Sequence, residues 1–224
     1  MSAAPRWRRL RQVLITSWLL APGCNAPIVQ PPPPPLRAAS VNALAVEVEF
    51  PEALDRASAE NPSHFVLYPA GNPAAPVPIN SATLVDTFYG RVVQLLVAPT
   101  PLPDNTAFTV EAYDVRTLGG KPTGQHGVGF TTGLNYEPSL RQIFARSCNS
   151  CHDSARTEGN YRTDTYGTLF GTGSNSRPNL IAGNPNCLLV VKTKPGRSMF
   201  DAGELSYLDS EMIRSWVVNY QARP

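Results

Sequence analysis

Apolar and polar residues alternate along residues 41–133 with the period of a β-strand. In residues 46–50, apolar side chains are separated by Glu47 and Glu49, the pattern of a strand with one buried face. Further strand candidates lie at residues 64–68, 91–97 and 106–115. Runs rich in proline and glycine separate them. Several short strands at this spacing predict a small β-sandwich.

Residues 137–224 change to the spacing of helices. Pro138 suits the first position of a helix. The apolar residues that follow on one face are Leu140, Ile143 and Phe144. A second helix is predicted near the end of the chain, where Ser206 and Asp209 fit a capping box. Its apolar face consists of Leu208, Met212, Ile213, Trp216, Val217 and Tyr220. Between the two helices, residues 153–186 are rich in Gly, Asn, Ser and Thr and predict loops.

The first 23 residues have the organisation of an export signal. Four arginines precede an apolar stretch at residues 13–20 that is too short to cross a bilayer as a helix. Gly23 and Cys24 follow, and this resembles the cleavage box of a bacterial lipoprotein, whose Cys receives lipid. An ordinary secretory signal cleaved nearby is the alternative. We therefore expect residues 1–23 to be a signal peptide and Cys24 to anchor the protein to a bacterial membrane, in the periplasm or at the cell surface.

Residues 24–40 are expected to form a tether. Five consecutive prolines at residues 31–35 favour extended polyproline II, which rises about 3.1 Å per residue. Such a spacer holds the folded part of the chain away from the membrane, and an unstructured remnant of processing is the other interpretation. No other segment is apolar enough to span a membrane, so we expect membrane attachment through the lipid alone.

Removing the signal reverses the sign of the net charge. The chain has 19 basic and 17 acidic residues. Four of the basic residues and none of the acidic ones lie in residues 1–23, so 15 basic and 17 acidic residues remain, a net charge of −2. The small net positive charge of the full chain is therefore due to the arginines of the signal. We expect no nucleic-acid partner.

The sequence Cys148-Asn149-Ser150-Cys151-His152 is the attachment pattern for haem c. Two thiols one turn apart can each add to one haem vinyl group, and the next residue then presents its imidazole to the iron. A thioredoxin-like redox site would need a βαβ setting, which the pattern of elements lacks. A structural zinc site would need a second ligand pair, and a chance match is the remaining alternative. One covalent haem c is the favoured cofactor, held by Cys148 and Cys151 with His152 as an iron ligand.

The remaining cysteine and the second iron ligand are approached by elimination. Cys187 is interpreted as a small buried hydrophobe, with a metal role as the less favoured alternative. Downstream of the signal only two methionines are present, and Met212 lies on the apolar face of the last predicted helix. Met199 follows a polar loop and has no evident packing role, so it is the favoured sixth ligand. His64 and His126 stay open as alternatives if the two parts of the chain pack closely.

The β-rich segment resembles a bacterial Ig-like module of secreted proteins. The resemblance covers about ninety residues and is carried by residues 48–55, 61–67 and 108–120. Modules of this kind are mostly spacers or adhesive units, and this one contains no catalytic cluster.

Residues 137–224 resemble a small class of monohaem cytochrome c domains. Besides the motif at residues 148–152, the match is carried by residues 143–144, Tyr166, 169–171, 183–185, Leu188, Lys192, Met199, 205–206 and 216–217. The position of Met199 matches the ligand methionine of that class, although Phe200 stands where a proline is usual and Cys187 where a serine is common. The resemblance implies a fold class with several domains, an Ig-like β-sandwich at residues 41–133 followed by a small all-α cytochrome c domain at residues 137–224.

His and Met ligation fills both axial positions of a haem iron and suits electron transfer rather than catalysis. We therefore expect an electron-transfer lipoprotein, and no enzyme, that exchanges single electrons with redox protein partners. Lys192, Lys194 and Arg197 would pair with haem propionates, meet an acidic partner, or form a solvated loop.

Two alternatives to an electron-transfer function stay open. One is a peroxidase-like enzyme with an open iron site, and the other is an interaction or adhesion protein in which the haem is accessory.

Overall fold

The structure of the protein is a computed structural model that describes residues 36–87, 89–97, 99–124 and 126–224, with His126 described by its backbone alone. The predicted signal at residues 1–23, Cys24 and the proline run lie outside the described residues. Among the helices that the structure describes, none is long and apolar enough to cross a membrane.

In the described part of the chain, seven strands form two antiparallel sheets. The first sheet has the order β1 (Arg37–Asn42), β2 (Ala45–Glu49), β5 (Val92–Val97) and β4 (Ile79–Leu84). The second has the order β3 (Phe65–Pro69), β6 (Ala107–Ala112) and β7 (His126–Thr131). Both sheets contribute to one apolar core, in which Val48, Leu67 and Val110 are among the buried residues. Strand β1 begins at Arg37, inside the range predicted to be tether.

Five α-helices lie in the described residues: α1 (Arg56–Ala59), α2 (Arg141–Ser147), α3 (Leu188–Thr193), α4 (Ser198–Ala202) and α5 (Tyr207–Val218). The predicted capping box is present at the start of α5, where the Ser206 and Asp209 side chains each accept a hydrogen bond from the other residue's backbone N–H. Between α2 and α3 the chain contains only short 3₁₀ turns at Glu158–Asn160, Gly167–Phe170 and Gly173–Asn175. The helices and loops bury a second apolar cluster that includes Phe144, Leu169 and Trp216.

The prediction of an Ig-like domain followed by an all-α cytochrome c domain is wrong. The described residues belong to one compact unit of two antiparallel sheets and short helices, and the helices do not make a separate all-α domain. Helix α5 packs on β1 and β2. The Val41 carbonyl of β1 accepts hydrogen bonds from the Ser215 hydroxyl and, at 2.9 Å, from the Asn219 amide. The periodicity that predicted two modules identifies each apolar face but not the polar contacts that join the sheet to the helix.

The second face of β2 is covered rather than solvated. All five residues of this strand are buried, and Glu47 is only 2% exposed. One of its carboxylate oxygens accepts a hydrogen bond from the Gln94 amide at 3.0 Å, while the other has no partner. Burial, with a smaller contribution from nearby Glu211, raises the pKa of Glu47 to about 7. A strand expected to be half-buried therefore carries a buried titratable group.

Glu47 is expected to make stability depend on pH. Because its folded pKa lies above the unfolded value, the folded state binds this proton more tightly, and stability falls as pH rises from about 4.5 to about 7. Glu47→Gln should therefore raise the unfolding free energy at pH 8, by up to about 3 kcal/mol, and change it little at pH 4. Urea unfolding across this pH range measures the difference, with the exposed Glu52→Gln as control. A constant difference between pH 4 and pH 8 would contradict the assignment.

Candidate functional site

The residues of the Cys-x-x-Cys-His motif line a cavity of about 960 Å³ of empty space, including its open mouth. Cys148, Cys151 and His152 form one wall. Leu188 and Leu189 of α3 and Met199 of α4 also line it. The fold thus brings Met199 to the same cavity as a motif that lies about fifty residues earlier in the chain. The walls are mostly apolar, as those of ligand cavities generally are.

The end of helix α2 positions the two thiols. The Cys148 N–H donates to the Phe144 carbonyl at 2.9 Å and ends the helix. The Cys148 carbonyl then accepts from the N–H groups of Cys151 and His152 at 3.1 and 3.0 Å, which closes a turn. Both cysteines are half-buried free thiols. The turn therefore presents two thiols and an imidazole to one cavity.

The hydrogen bonds of His152 determine which ring nitrogen is available. Its Nδ1 lies 3.2 Å from the Tyr161 carbonyl oxygen, which can only accept a hydrogen bond. Nδ1 therefore carries the proton, and in the neutral ring Nε2 has a free lone pair. The Thr163 N–H donates to the His152 carbonyl at 2.7 Å and holds the backbone of the same residue. A histidine fixed in this way is prepared to bind a metal through Nε2.

Burial is the main influence on the pKa of the Cys148 thiol. It raises the pKa of Cys148 to about 12, and the positive charge of Arg146 offsets only part of this effect. The thiol therefore stays protonated at neutral pH. Thioredoxin-like centres use a thiolate of lowered pKa, so this environment disfavours a thioredoxin-like centre.

Gly203 allows helix α4, which contains Met199, to lie close to the end of helix α2. Met199 is 39% exposed and lines the cavity. The Gly203 N–H donates to the Met199 carbonyl at 3.1 Å. A Cβ atom on Gly203 would lie only 2.7 Å from the Ser147 carbonyl oxygen, directly before Cys148. The close approach of α4 to the end of α2 therefore requires glycine at this position.

Asn179 is a residue of the cavity that sequence reasoning missed. It is 5% exposed, its backbone N–H and carbonyl are both hydrogen-bonded, and its side-chain Oδ1 has no partner. Tyr161 and Gly203, which hold His152 and Met199 in place, were also missed. A glycine one turn after Met199 was visible in the sequence, but nothing local indicated that Asn179 or Tyr161 belongs to the site.

The other ligand candidates lie elsewhere. His64 is bound at both ring nitrogens, Nδ1 at 2.9 Å from the Ser58 carbonyl oxygen and Nε2 at 3.1 Å from the Asn61 amide nitrogen. His126 lies in β7, and its side chain is outside the described part of the structure. Met212 packs against the second apolar cluster and Cys187 is buried within it. Within the described ranges, no group of three or more His, Cys, Asp or Glu residues could hold a metal ion.

Comparisons with solved structures give only distant similarity. The S-layer protein rSbsC(31-844) is 20% identical over 42% of this chain and 12% of its own, with a TM-score of 0.38. The N-terminal part of the bacterial S-layer protein SbsC is 19% identical over 45% of this chain and 23% of its own, with a TM-score of 0.40. The archaellum periplasmic stator complex FlaF and FlaG from Sulfolobus acidocaldarius is 17% identical over 42% of this chain and 84% of its own, with a TM-score of 0.24. The chain thus spans less than a quarter of the S-layer chains.

No protein-family model and no curated protein matches the chain. The resemblance to a bacterial Ig-like domain joined to a monohaem cytochrome c domain in a lipoprotein is therefore corrected. The protein is a mostly β fold of two sheets with short helices, and its described residues contain no clustered metal-binding group of the protein's own.

Gly203→Ala is expected to disturb the site and the fold together. The added methyl group meets two backbone oxygens, those of Ser147 and Met199, which cannot rotate away as a side chain can. We expect a loss of about 1–3 kcal/mol in unfolding free energy, measured by urea denaturation. Gly167→Ala is the control, because a Cβ atom there meets nothing within 4 Å. Equal stability of the two variants would show that α4 does not approach α2 as described.

Proposed function

We propose that the cavity holds one haem c, bound by thioether bonds to Cys148 and Cys151, and that the protein transfers single electrons. The observation that carries the proposal is the convergence of the Cys-x-x-Cys-His turn and Met199 on one mostly apolar cavity. The function rests on these residues and not on membership of a family.

The residues of the cavity fit this group. The two thiols lie on one turn, and the Tyr161 carbonyl leaves His152 Nε2 free to bind. A haem brings four nitrogen ligands of its own, so the protein has to supply only two. The site therefore does not need the larger cluster of metal-binding side chains that the described residues lack.

His152 and Met199 would hold the haem iron, since both line the same cavity. When bound, the haem supplies one-electron chemistry, and His and Met ligation raises its reduction potential. This chain then excludes water with Leu188 and Leu189, orients the imidazole through Tyr161, and leaves the mouth of the cavity open toward a redox partner. Lys192 also lines the cavity and is placed to pair with a haem carboxylate.

Export and lipid attachment complete the proposal. The predicted signal at residues 1–23 and Cys24 support a protein that is lipid-anchored in the periplasm or at the cell surface. Both locations lie outside the cytoplasm, which is where haem c is attached. Its partners would be redox proteins.

Substituting both motif cysteines tests covalent attachment. Cys148→Ser with Cys151→Ser should abolish haem staining of the denatured band and the pyridine haemochrome spectrum, because serine hydroxyls do not form thioether bonds. Cys187→Ala is the matched control and should keep full staining, since Cys187 is buried in the apolar cluster and is not among the residues that line the cavity. Staining that survives the double substitution would refute the central proposal.

The two methionines should respond differently to substitution. Met199→Ala should lower the reduction potential and remove the Met-to-iron absorption band of the oxidised protein. Met212→Ala should leave both unchanged and cost about 2 kcal/mol of stability, because this half-buried side chain packs against the apolar cluster.

A peroxidase-like open site is the second candidate, because Met199 is 39% exposed. The same experiment separates the two functions. A wild-type protein that lacks the Met-to-iron band and binds carbon monoxide readily when reduced would favour the open site over electron transfer.

A further inference from the structure

One buried carboxylate connects the first sheet to the haem-attachment turn. The side chain of Asp209, in the first turn of α5, is 3% exposed. Its Oδ1 accepts from the guanidinium of Arg37 at 2.5 Å and also pairs with Arg146. Its Oδ2 accepts from the Ser206 N–H at 3.2 Å. A charge this deeply buried is tolerated because it is paired and hydrogen-bonded.

The same network extends into the sheet. Arg37 of β1 also donates to Glu49 of β2 at 3.1 Å. The Ser206 hydroxyl donates to the same Glu49 oxygen at 3.0 Å. Two guanidinium groups and two carboxylates are thus joined across β1, β2, α5 and α2, with formal charges that cancel. Removing any one of them leaves an uncompensated charge in a poorly solvated region.

Arg146 connects this network of charges to the Cys-x-x-Cys-His turn. It lies in the last turn of α2, two residues before Cys148, and its side chain is bound by Asp209. The charges of Arg146 and Asp209 both reach the Cys148 thiol and oppose each other there: Arg146 lowers the pKa of Cys148 and Asp209 raises it. The two charges therefore act at one of the two proposed points of haem attachment.

Capping alone does not require a charged residue at position 209. An asparagine side chain can accept the same hydrogen bond from the Ser206 N–H, because its amide carries an acceptor oxygen. The negative charge of Asp209 is needed instead for the two arginines.

We propose that Asp209 and Arg146 form a charge pair at the haem site, whose opposing charges, joined beside Cys148, together set the local charge that the haem experiences. This inference rests on the proposed function. A positive charge near the iron favours the reduced state, which carries one positive charge less, and a negative charge favours the oxidised state. Asp209 and Arg146 therefore influence the reduction potential in opposite directions.

Redox titration of the holoprotein tests the inference. Asp209→Asn should raise the midpoint potential and Arg146→Gln should lower it. Each change should alter the one-electron equilibrium constant by about threefold to tenfold, and tenfold corresponds to about 59 mV. Arg141→Gln is the control, because Arg141 lies on the same helix but pairs with the exposed Glu137. It should leave the potential unchanged.

Opposite shifts in the first two variants, with none in the control, support the role. A merely structural role would lower stability without shifts of opposite sign, and that result overturns the inference. Because the Arg146 side chain is about half exposed, Arg146→Gln is expected to fold even if Asp209→Asn does not. An unchanged potential in Arg146→Gln then overturns the inference by itself. Absence of haem from the wild-type protein would refute the proposed function instead, so the two failures are distinguishable.

Discussion

The packing of helix α5 between the first sheet and the second apolar cluster is the contact on which the rest of the structure depends. Trp216 and Ile213 are fully buried in the apolar cluster, as the helical spacing requires. On the sheet side, however, the helix buries Asp209 and Ser215. These polar groups are stable there because the Arg37 guanidinium and the Val41 carbonyl provide hydrogen-bonding partners. The helix is thus buried by two different kinds of contact.

This arrangement explains why the cavity can be built largely from loops. The segment between α2 and α3 has little regular structure of its own, yet its backbone is held at defined points. The Thr163 N–H bonds to the His152 carbonyl, and the Asn179 carbonyl accepts from the Leu189 N–H of α3. Since α2 is tied to α5 through Arg146 and Asp209, both sides of the cavity are anchored to elements packed against the sheet. A preorganised site of this kind costs less free energy when a cofactor binds.

About half of the strands could be predicted from the sequence. β2, β3, β5 and β6 were found because their apolar residues alternate or run together. β1, β4 and β7 were missed: β1 begins within the predicted tether, and β7 contains two glycines, which weaken the strand signal. The short helices α3 and α4 were also missed, because five or six residues do not show a clear helical period. The prediction of a separate all-α domain is wrong, because Glu47 and Glu49 indicated a solvated face where helix α5 in fact packs on the strand.

The sequence by itself determined the local chemistry. The spacing of Cys148, Cys151 and His152 defines two thiols and an imidazole on one turn, and the capping box at Ser206 is present as predicted. Only the tertiary structure decided that Met199 lines the same cavity, that Tyr161 selects the His152 tautomer, and that the side-chain Oδ1 of Asn179 is buried without a partner. Local hydrogen bonds and capping depend on residues a few positions apart, so a sequence pattern records them. Burial and partner choice depend on residues far apart in the chain, and these become neighbours only when the sheet, α5 and the loops pack together.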